Sequence, residues 1–308
     1  MATAIKIEGL TKTYRLLMQK EPVNAVSDLD LEVYEGEIFG FLGPNGAGKT
    51  TTIKILLGLT YPTSGQAWLL GKPAGDIEAK KEISYLPESP YFYEYMSGTE
   101  LLDFYGRLFG LNDSDRKERI DYLLRLVGLY GDRYKPLSQY SKGMLQRIGI
   151  AQALVNDPKL LFFDEPTSAL DPIAHSEIRD LILRLRSEGK TVFLSSHQLS
   201  DVEMVCDRVA ILNRGKLLRL GKLDELLSGG TVEITAAGVD AATVEKLKGL
   251  TPHVSAKNGQ VIVSPEDSDG ISQAIDIIRA ANGRILSVIP LRRTLEDLFM
   301  EIIKEENK

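Results

Sequence analysis

The sequence predicts an α/β fold: a parallel sheet with crossover helices, a helical insertion and a smaller α+β domain behind it. Three observations lead there. First, short apolar runs alternate with helix-period segments between residues 37 and 213, at Glu37–Leu42, Ile83–Leu86, Leu160–Phe163, Thr191–Leu194 and Val209–Leu212. Second, a block of helical spacing interrupts them. Leu101, Phe104, Tyr105 and Leu108 fall at i, i+3, i+4 and i+7, and Ile120, Leu123, Leu124 and Val127 repeat the pattern, so residues 94–155 are expected to be a helical insertion. Third, the pattern changes after Ser228-Gly229-Gly230.

A length of 308 residues suits one large or two ordinary domains, here 1–228 and 231–308. With 43% hydrophobic and 26% charged residues, a mainly disordered chain is excluded. The one cysteine, Cys206, cannot form an internal disulfide and suits a reduced compartment. No apolar stretch approaches the roughly 18 residues of a spanning helix. The N-terminus carries charge within its first eight residues and lacks the order of a signal peptide, so the polypeptide is expected to stay where it is made. A formal charge of −6 disfavours a nucleic-acid partner.

The second domain begins with strand-like alternation over Thr231–Thr235 and a helix over Ala241–Leu250. Two short runs in His253–Ser264 then flank Asn258-Gly259, a preferred hairpin turn. A helix with Ile271, Ala274, Ile275 and Ile278 on one face precedes a strand at Ile285–Ile289. This β-α-β-β-α-β order is that of the ferredoxin-like split βαβ unit. A last helix opens at Thr294 with Asp297 three residues on, a near capping box, and is expected to bury Leu295, Leu298, Phe299 and Ile302.

Two sites carry chemistry. Gly43, Pro44, Asn45, Gly46, Ala47, Gly48, Lys49 and Thr50, followed by Thr51, match the P-loop pattern G-x-x-x-x-G-K-[ST] between a strand and a helix. Glycines let successive backbone N–H groups converge on an anion, and the helix N-terminus adds its positive end. Lys49 then reaches the β- and γ-phosphates, and the Thr50 hydroxyl can ligate Mg²⁺. The buried run Leu160–Phe163 leads into Asp164-Glu165, at the carboxyl end of a strand, where open α/β sheets bind ligands. Asp164 is the expected metal residue, directly or through water. Glu165 is the expected general base for the attacking water.

Together with what lies between them, these residues closely resemble the nucleotide-binding subunit of ABC (ATP-binding cassette) transporters over roughly residues 5–225. Leu137-Ser-Gln-Tyr-Ser-Lys-Gly-Met-Leu-Gln-Arg147 looks like a variant of the family's signature motif. Asp164-Glu-Pro-Thr-Ser-Ala-Leu-Asp171 looks like the Walker B segment running into the D-loop. Ser195-Ser-His197 looks like the switch histidine, and Tyr14 sits where the family stacks an aromatic on adenine. On the residues alone, Tyr14 is equally a packed aromatic, and Ser141 an ordinary N-cap for a helix whose apolar face is Met144, Ile148, Ala151 and Val155.

The resemblance implies a P-loop NTPase cassette that hydrolyses ATP with Mg²⁺, with Glu165 and His197 catalytic. Ser141, Lys142, Gly143 and Met144 would meet the nucleotide of a second, identical copy, and Asp171 would belong to the D-loop. It also implies a polytopic membrane subunit as partner, a place on the inner, cytoplasmic face of the membrane, and no nucleic acid. The chain departs from the family at Glu88, where a glutamine is usual. Glutamate keeps an oxygen for Mg²⁺ beside Thr50 and Asp164 but adds negative charge, so the site either holds metal more tightly or couples differently to its partner. Lys142 and Met144 replace the usual Gly and Gln; Lys142 either faces the partner's γ-phosphate or points to solvent. These departures and the tail Arg293–Glu301 resemble the exporter branch with separate ATPase and membrane chains.

The helical insertion and the loop Glu88–Tyr95 would form the socket for a membrane-subunit helix, unless the aromatics of that loop tuck under the helical block. The rival reading is a soluble ABC-type ATPase of DNA repair or translation. The interval from P-loop to signature holds no sustained heptads, and the chain has a single P-loop. A non-hydrolysing regulatory module is disfavoured by the presence of Asp164, Glu165 and His197 together.

Overall fold

The five apolar runs are strands of a single six-stranded sheet, in a computed structural model that describes residues 2–15, 22–228, 232–257, 259–265, 267–290 and 293–306. These residues form two compact units, Met1–Leu223 and Asp224–Lys308. The first unit ends on Leu223, which is buried and whose N–H donates to the Asp207 carbonyl at 3.0 Å.

In chain order the first unit contains β1 (Thr3–Tyr14), β2 (Val23–Tyr34), β3 (Ile38–Leu42), α1 (Lys49–Leu56), β4 (Ser64–Leu69), β5 (Lys72–Pro73), α2 (Ile77–Lys80) and β6 (Ile83–Leu86). It continues with α3 (Gly98–Leu108), α4 (Asp113–Leu126), α5 (Lys142–Ala153), β7 (Leu160–Asp164), α6 (Pro172–Ser187), β8 (Thr191–Ser196), α7 (Leu199–Val205), β9 (Arg208–Asn213) and β10 (Lys216–Lys222). The short α8 (Leu223–Leu226) leads out of it.

The six-stranded sheet has the order β10-β9-β3-β8-β7-β6, parallel from β9 to β6, with β10 antiparallel at the edge. Every residue of β3, β7 and β8 is buried, as expected of strands covered on both faces. Helix α6 packs on β8, α7 on β3 and α5 on β6. Phe193 touches the rings of Phe39, Phe41 and Phe162 at centroid distances of 5.7, 5.0 and 5.5 Å. Each buried ring adds about 2–3 kcal/mol of transfer free energy, which holds the strand ends carrying the chemistry in register.

A second sheet, β2-β1-β4-β5, is antiparallel throughout and lies outside the sequence expectation. Register shifts in the β1–β2 ladder between Ile7/Leu10 and Leu10/Lys12 break the alternation that would betray a strand. Its Ile5, Leu10, Leu29 and Val33 nevertheless join Phe39, Phe41 and Phe193 in one core.

The helical block holds α3 to α5. Ser97 starts α3 with a full capping box to Glu100, and Asn112 caps α4. The face Ile120, Leu123, Leu124 and Val127 is buried, whereas the one expected on α3 is only partly so. Leu101 is buried and Tyr105 half-buried, but Phe104 is 39% and Leu108 65% exposed. Leu102 and Gly106 turn inward instead, Gly106 because the Arg116 side chain crosses against it to reach Asp103 at 2.6 Å. Met144, expected on the apolar face of α5, is half-buried, while Ile148, Ala151 and Val155 are buried, Val155 just past the helix end.

The second unit runs β11 (Val232–Ala237), α9 (Ala241–Leu250), β12 (Val254–Lys257), β13 (Gln260–Val263), α10 (Ser268–Ala280), β14 (Arg284–Pro290) and α11 (Leu295–Glu306). Its antiparallel sheet has the order β12-β13-β11-β14, the split βαβ arrangement. Ile234, Leu247, Val261, Ala274 and Ile278 form its core, with Ile271 and Ile275 packed against them. Thr294 and Asp297 bond reciprocally at the head of α11, where Leu295, Leu298 and Ile302 are buried and Phe299 is half-buried. Gly229, Gly230, Thr231 and Asn258, on which the expected break, strand start and turn partly rest, lie outside the described residues. Among the described residues no helix is long and apolar enough to cross a membrane.

Candidate functional site

The carboxyl ends of β3, β8 and β7 lie side by side, and the loops leaving them build a cavity of about 580 Å³. Its wall is the loop Pro44–Gly48 with Lys49, Thr50 and Thr51, faced by Tyr14, Glu88, Glu165 and His197. Gly48 has φ +103°, and a Cβ there would stand 2.2 Å from the Ala25 carbonyl oxygen. The loop is thus pressed against β2 where only glycine fits. Gly48→Ala is expected to weaken ATP binding about ten-fold or more, since both backbone strain and a main-chain clash must be relieved. Titration with a fluorescent ATP analogue measures it.

Buried Lys49 holds the loop from within. Its Nζ donates to the Gly43 carbonyl at 2.6 Å and pairs with Glu165 Oε1 at 3.1 Å. The other oxygen of Glu165 lies 2.7 Å from His197 Nδ1 and accepts the His197 backbone N–H at 3.1 Å. Glu165 itself has φ +51°, an uncommon conformation for a residue with a side chain. Its N–H donates to the carbonyl and hydroxyl of Ser195 at 3.0 and 3.2 Å, which keeps it there.

Asp164 is buried and does not line the cavity. Ser195 Oγ donates to Oδ1, and the Tyr85 hydroxyl lies 3.4 Å from Oδ2. Burial, followed by the charges of Asp164 and Glu88, pushes the Tyr85 hydroxyl up to about 12, so it remains a proton donor. Nothing in the sequence marks Tyr85 or Ser195 as partners of Asp164: Ser195 stands two residues before His197 and Tyr85 three residues before Glu88, and their spacing does not say which carboxylate they meet.

The oxygen donors fit Mg²⁺. Thr50 and Glu88 line the cavity, and Asp164 is held behind it. Among the described residues no group of three or more His, Cys, Asp or Glu could hold a metal ion alone. Such an ion would take its remaining ligands from phosphate and water, as Mg²⁺ commonly does. Bound there, it would neutralise phosphate charge.

The signature residues stand elsewhere. Ser141 caps α5 by accepting the Met144 N–H at 3.2 Å, and both Ser141 and Lys142 are exposed. Gly143 faces inward, where a Cβ would stand 2.8 Å from that of Ala174 on α6, so its size sets the approach of the two helices. Asp171 caps α6, and the N–H groups of Ala174 and Ile173 hold its exposed carboxyl below the usual carboxylate range. None of these lines the P-loop cavity of its own chain. Tyr14 is half-buried beneath Lys12, whose Nζ lies 4.9 Å from its ring centre. In the loop after Glu88, Tyr91, Tyr93 and Tyr95 are exposed while Phe92 is buried, which decides between the two readings of those aromatics: only Phe92 is tucked in. A larger groove of about 980 Å³ runs between α3 and α4, lined by Met96, Phe104, Ile120 and Tyr134.

A strand, a glycine loop, a helix opening on lysine and two acids at the end of a nearby parallel strand define a P-loop nucleoside triphosphatase. The family model described as "ABC transporter" matches residues 26–168. An ABC transporter ATP-binding protein of Synechocystis is 41% identical over 99% of this chain and 86% of its own length. A fluoroquinolones export ATP-binding protein of Mycobacterium tuberculosis is 39% identical over 72% of each chain. Among solved structures, the ATP-binding cassette MJ0796, in a dimeric post-hydrolysis state bound to ADP and Pi, superposes with TM-score 0.64 at 27% identity, covering 71% of this chain and 98% of that one. The chain belongs to the ATP-binding proteins of ABC transporters, and it is an ATPase that takes ATP with Mg²⁺.

Proposed function

We propose that this ATPase drives an exporter whose membrane-spanning part is another polypeptide, and that two copies close head to tail around two Mg·ATP. The observation that carries the reading is the separation of the two phosphate-seeking ends. The P-loop cavity holds Lys49, Thr50 and Glu165, while Ser141 stands exposed at the head of α5, outside that cavity. A second copy supplies what each cavity lacks. The exporter assignment is supported by the M. tuberculosis relative and by the resemblance of the tail.

In this reading Lys49 and the P-loop N–H groups hold the β- and γ-phosphates, and Tyr14 stacks on the adenine. Glu165 accepts a proton from water as the water oxygen bonds to the γ-phosphorus and the bond to the bridging oxygen breaks. His197, already bonded to Glu165 through Nδ1, keeps Nε2 for the γ-phosphate. The exposed tyrosines 91, 93 and 95 and the groove between α3 and α4 receive a helix of the membrane subunit, which places the chain on the inner face of the membrane; aromatic surfaces suit such contacts.

Purification of the tagged full-length chain from its native membranes tests this. A polytopic membrane protein is expected to come with it, and ribosomes or DNA in its place would overturn the reading. Replacing Tyr91 and Tyr95 by alanine is expected to release the membrane protein and leave ATP hydrolysis by the purified chain within about two-fold of wild type, as exposed side chains add little to stability.

A further inference from the structure

We propose that His175 is a positioning residue that clasps the helix behind Asp171 to the helix behind His197, so that the two shift together. The inference rests on the dimeric ATPase reading above. Asp171 caps α6, and His175 lies one turn on, its N–H bonded to the Asp171 carbonyl at 2.9 Å. The imidazole reaches across to α7, with Nδ1 3.2 Å from Asp201 Oδ1. One turn further along, Arg179 Nη1 lies 3.1 Å from Met204 Sδ and ties the same two helices.

Two features make the histidine the controlling contact. Asp201 is buried, and its Oδ2 has no hydrogen-bond partner among the described residues. A buried carboxylate with one oxygen unsatisfied depends heavily on the bond that remains. Helix α7 has only seven residues, and its N-cap Gln198 makes no side-chain bond to the first turn. Its position is set by the packing of Val202 and Val205 and by side-chain contacts such as this one. Asp201 lies one turn beyond His197, which bonds Glu165. A partner chain that displaces Asp171 thereby moves α6, then α7, then the histidine holding the base, so each nucleotide site responds to the other.

The test uses the full-length protein. The wild type is expected to hydrolyse ATP with a Hill coefficient above 1, and His175→Ala to lower kcat about ten-fold and bring that coefficient to about 1, a loss of the scale carried by coupling between sites; a wild-type coefficient of about 1 would overturn the coupling. ATP affinity should stay within about two-fold, because neither His175 nor Asp201 lines the cavity. His175→Asn sets an amide nitrogen near the place of Nδ1 and is expected to restore most of the loss, whereas His175→Gln, whose donor falls near Nε2, is not. Combining His175→Ala with Asp201→Ala should be no worse than the poorer single change. Unchanged kcat and Hill coefficient in His175→Ala, losses that multiply in the double variant, or equal losses in His175→Asn and His175→Ala overturn the clasp. Hydrolysis by the wild type and its loss in Glu165→Gln report separately on the underlying ATPase reading.

Discussion

Glu165→Gln is expected to abolish turnover, keep ATP binding and hold two copies together around the nucleotide. Glutamine has nearly the shape of glutamate and can still bond the His197 side. What it loses is the ability to take a proton, and a positioned general base contributes roughly 10²–10⁴-fold to a rate. The change also removes the ion pair with Lys49 Nζ, which leaves that cation free for phosphate and should, if anything, tighten binding. Phosphate release in the steady state and size-exclusion chromatography with ATP read the two arms. Hydrolysis near the wild-type rate would remove Glu165 from the role of base.

Two inactive variants are expected to regain activity when mixed. In a head-to-tail pair, each site takes Lys49 from one copy and Ser141 from the other. Lys49→Ala and Ser141→Ala homodimers then have two defective sites each, while a mixed dimer gathers both defects in one site and leaves the other whole. Equal mixing with random pairing should restore roughly a quarter of the wild-type sites, as the two-fold symmetry of such a dimer requires. If Ser141 served the nucleotide of its own chain, mixing would restore nothing. The exposed position of Ser141, at the head of a helix that contributes nothing to its own chain's cavity, favours the first outcome.

Chemistry that is contiguous in the chain was the most legible. The P-loop announces itself because a glycine at φ +103°, a lysine that reaches back six residues to Gly43 and a helix start must occur together within eight positions. The central strands were equally plain, being buried on both faces and so carrying short apolar runs, with polar residues confined to their ends. The antiparallel sheet of β1, β2, β4 and β5 was not, since its bulges scramble the period of two on which recognition depends. On α3 the helical period was correct but the buried face was not. Phe104 and Leu108 stay exposed, and Phe104 lines a groove, which a periodicity alone cannot separate from core. The donors that hold Asp164 come from residues 31 and 79 positions away, so only the folded sheet brings them together.

Glu88 gives the cavity a polarity that the P-loop alone would not. Among the described residues Lys49 is the one lysine or arginine lining it, against Glu88 and Glu165, and its charge is already shared with Glu165 and the Gly43 carbonyl. A bare triphosphate, itself strongly anionic, meets like charge at the mouth, and in a confined, poorly screened space that repulsion grows. In the proposed function the triphosphate would therefore enter as its cation-neutralised complex rather than bare, so that recognition and metal loading would be a single event.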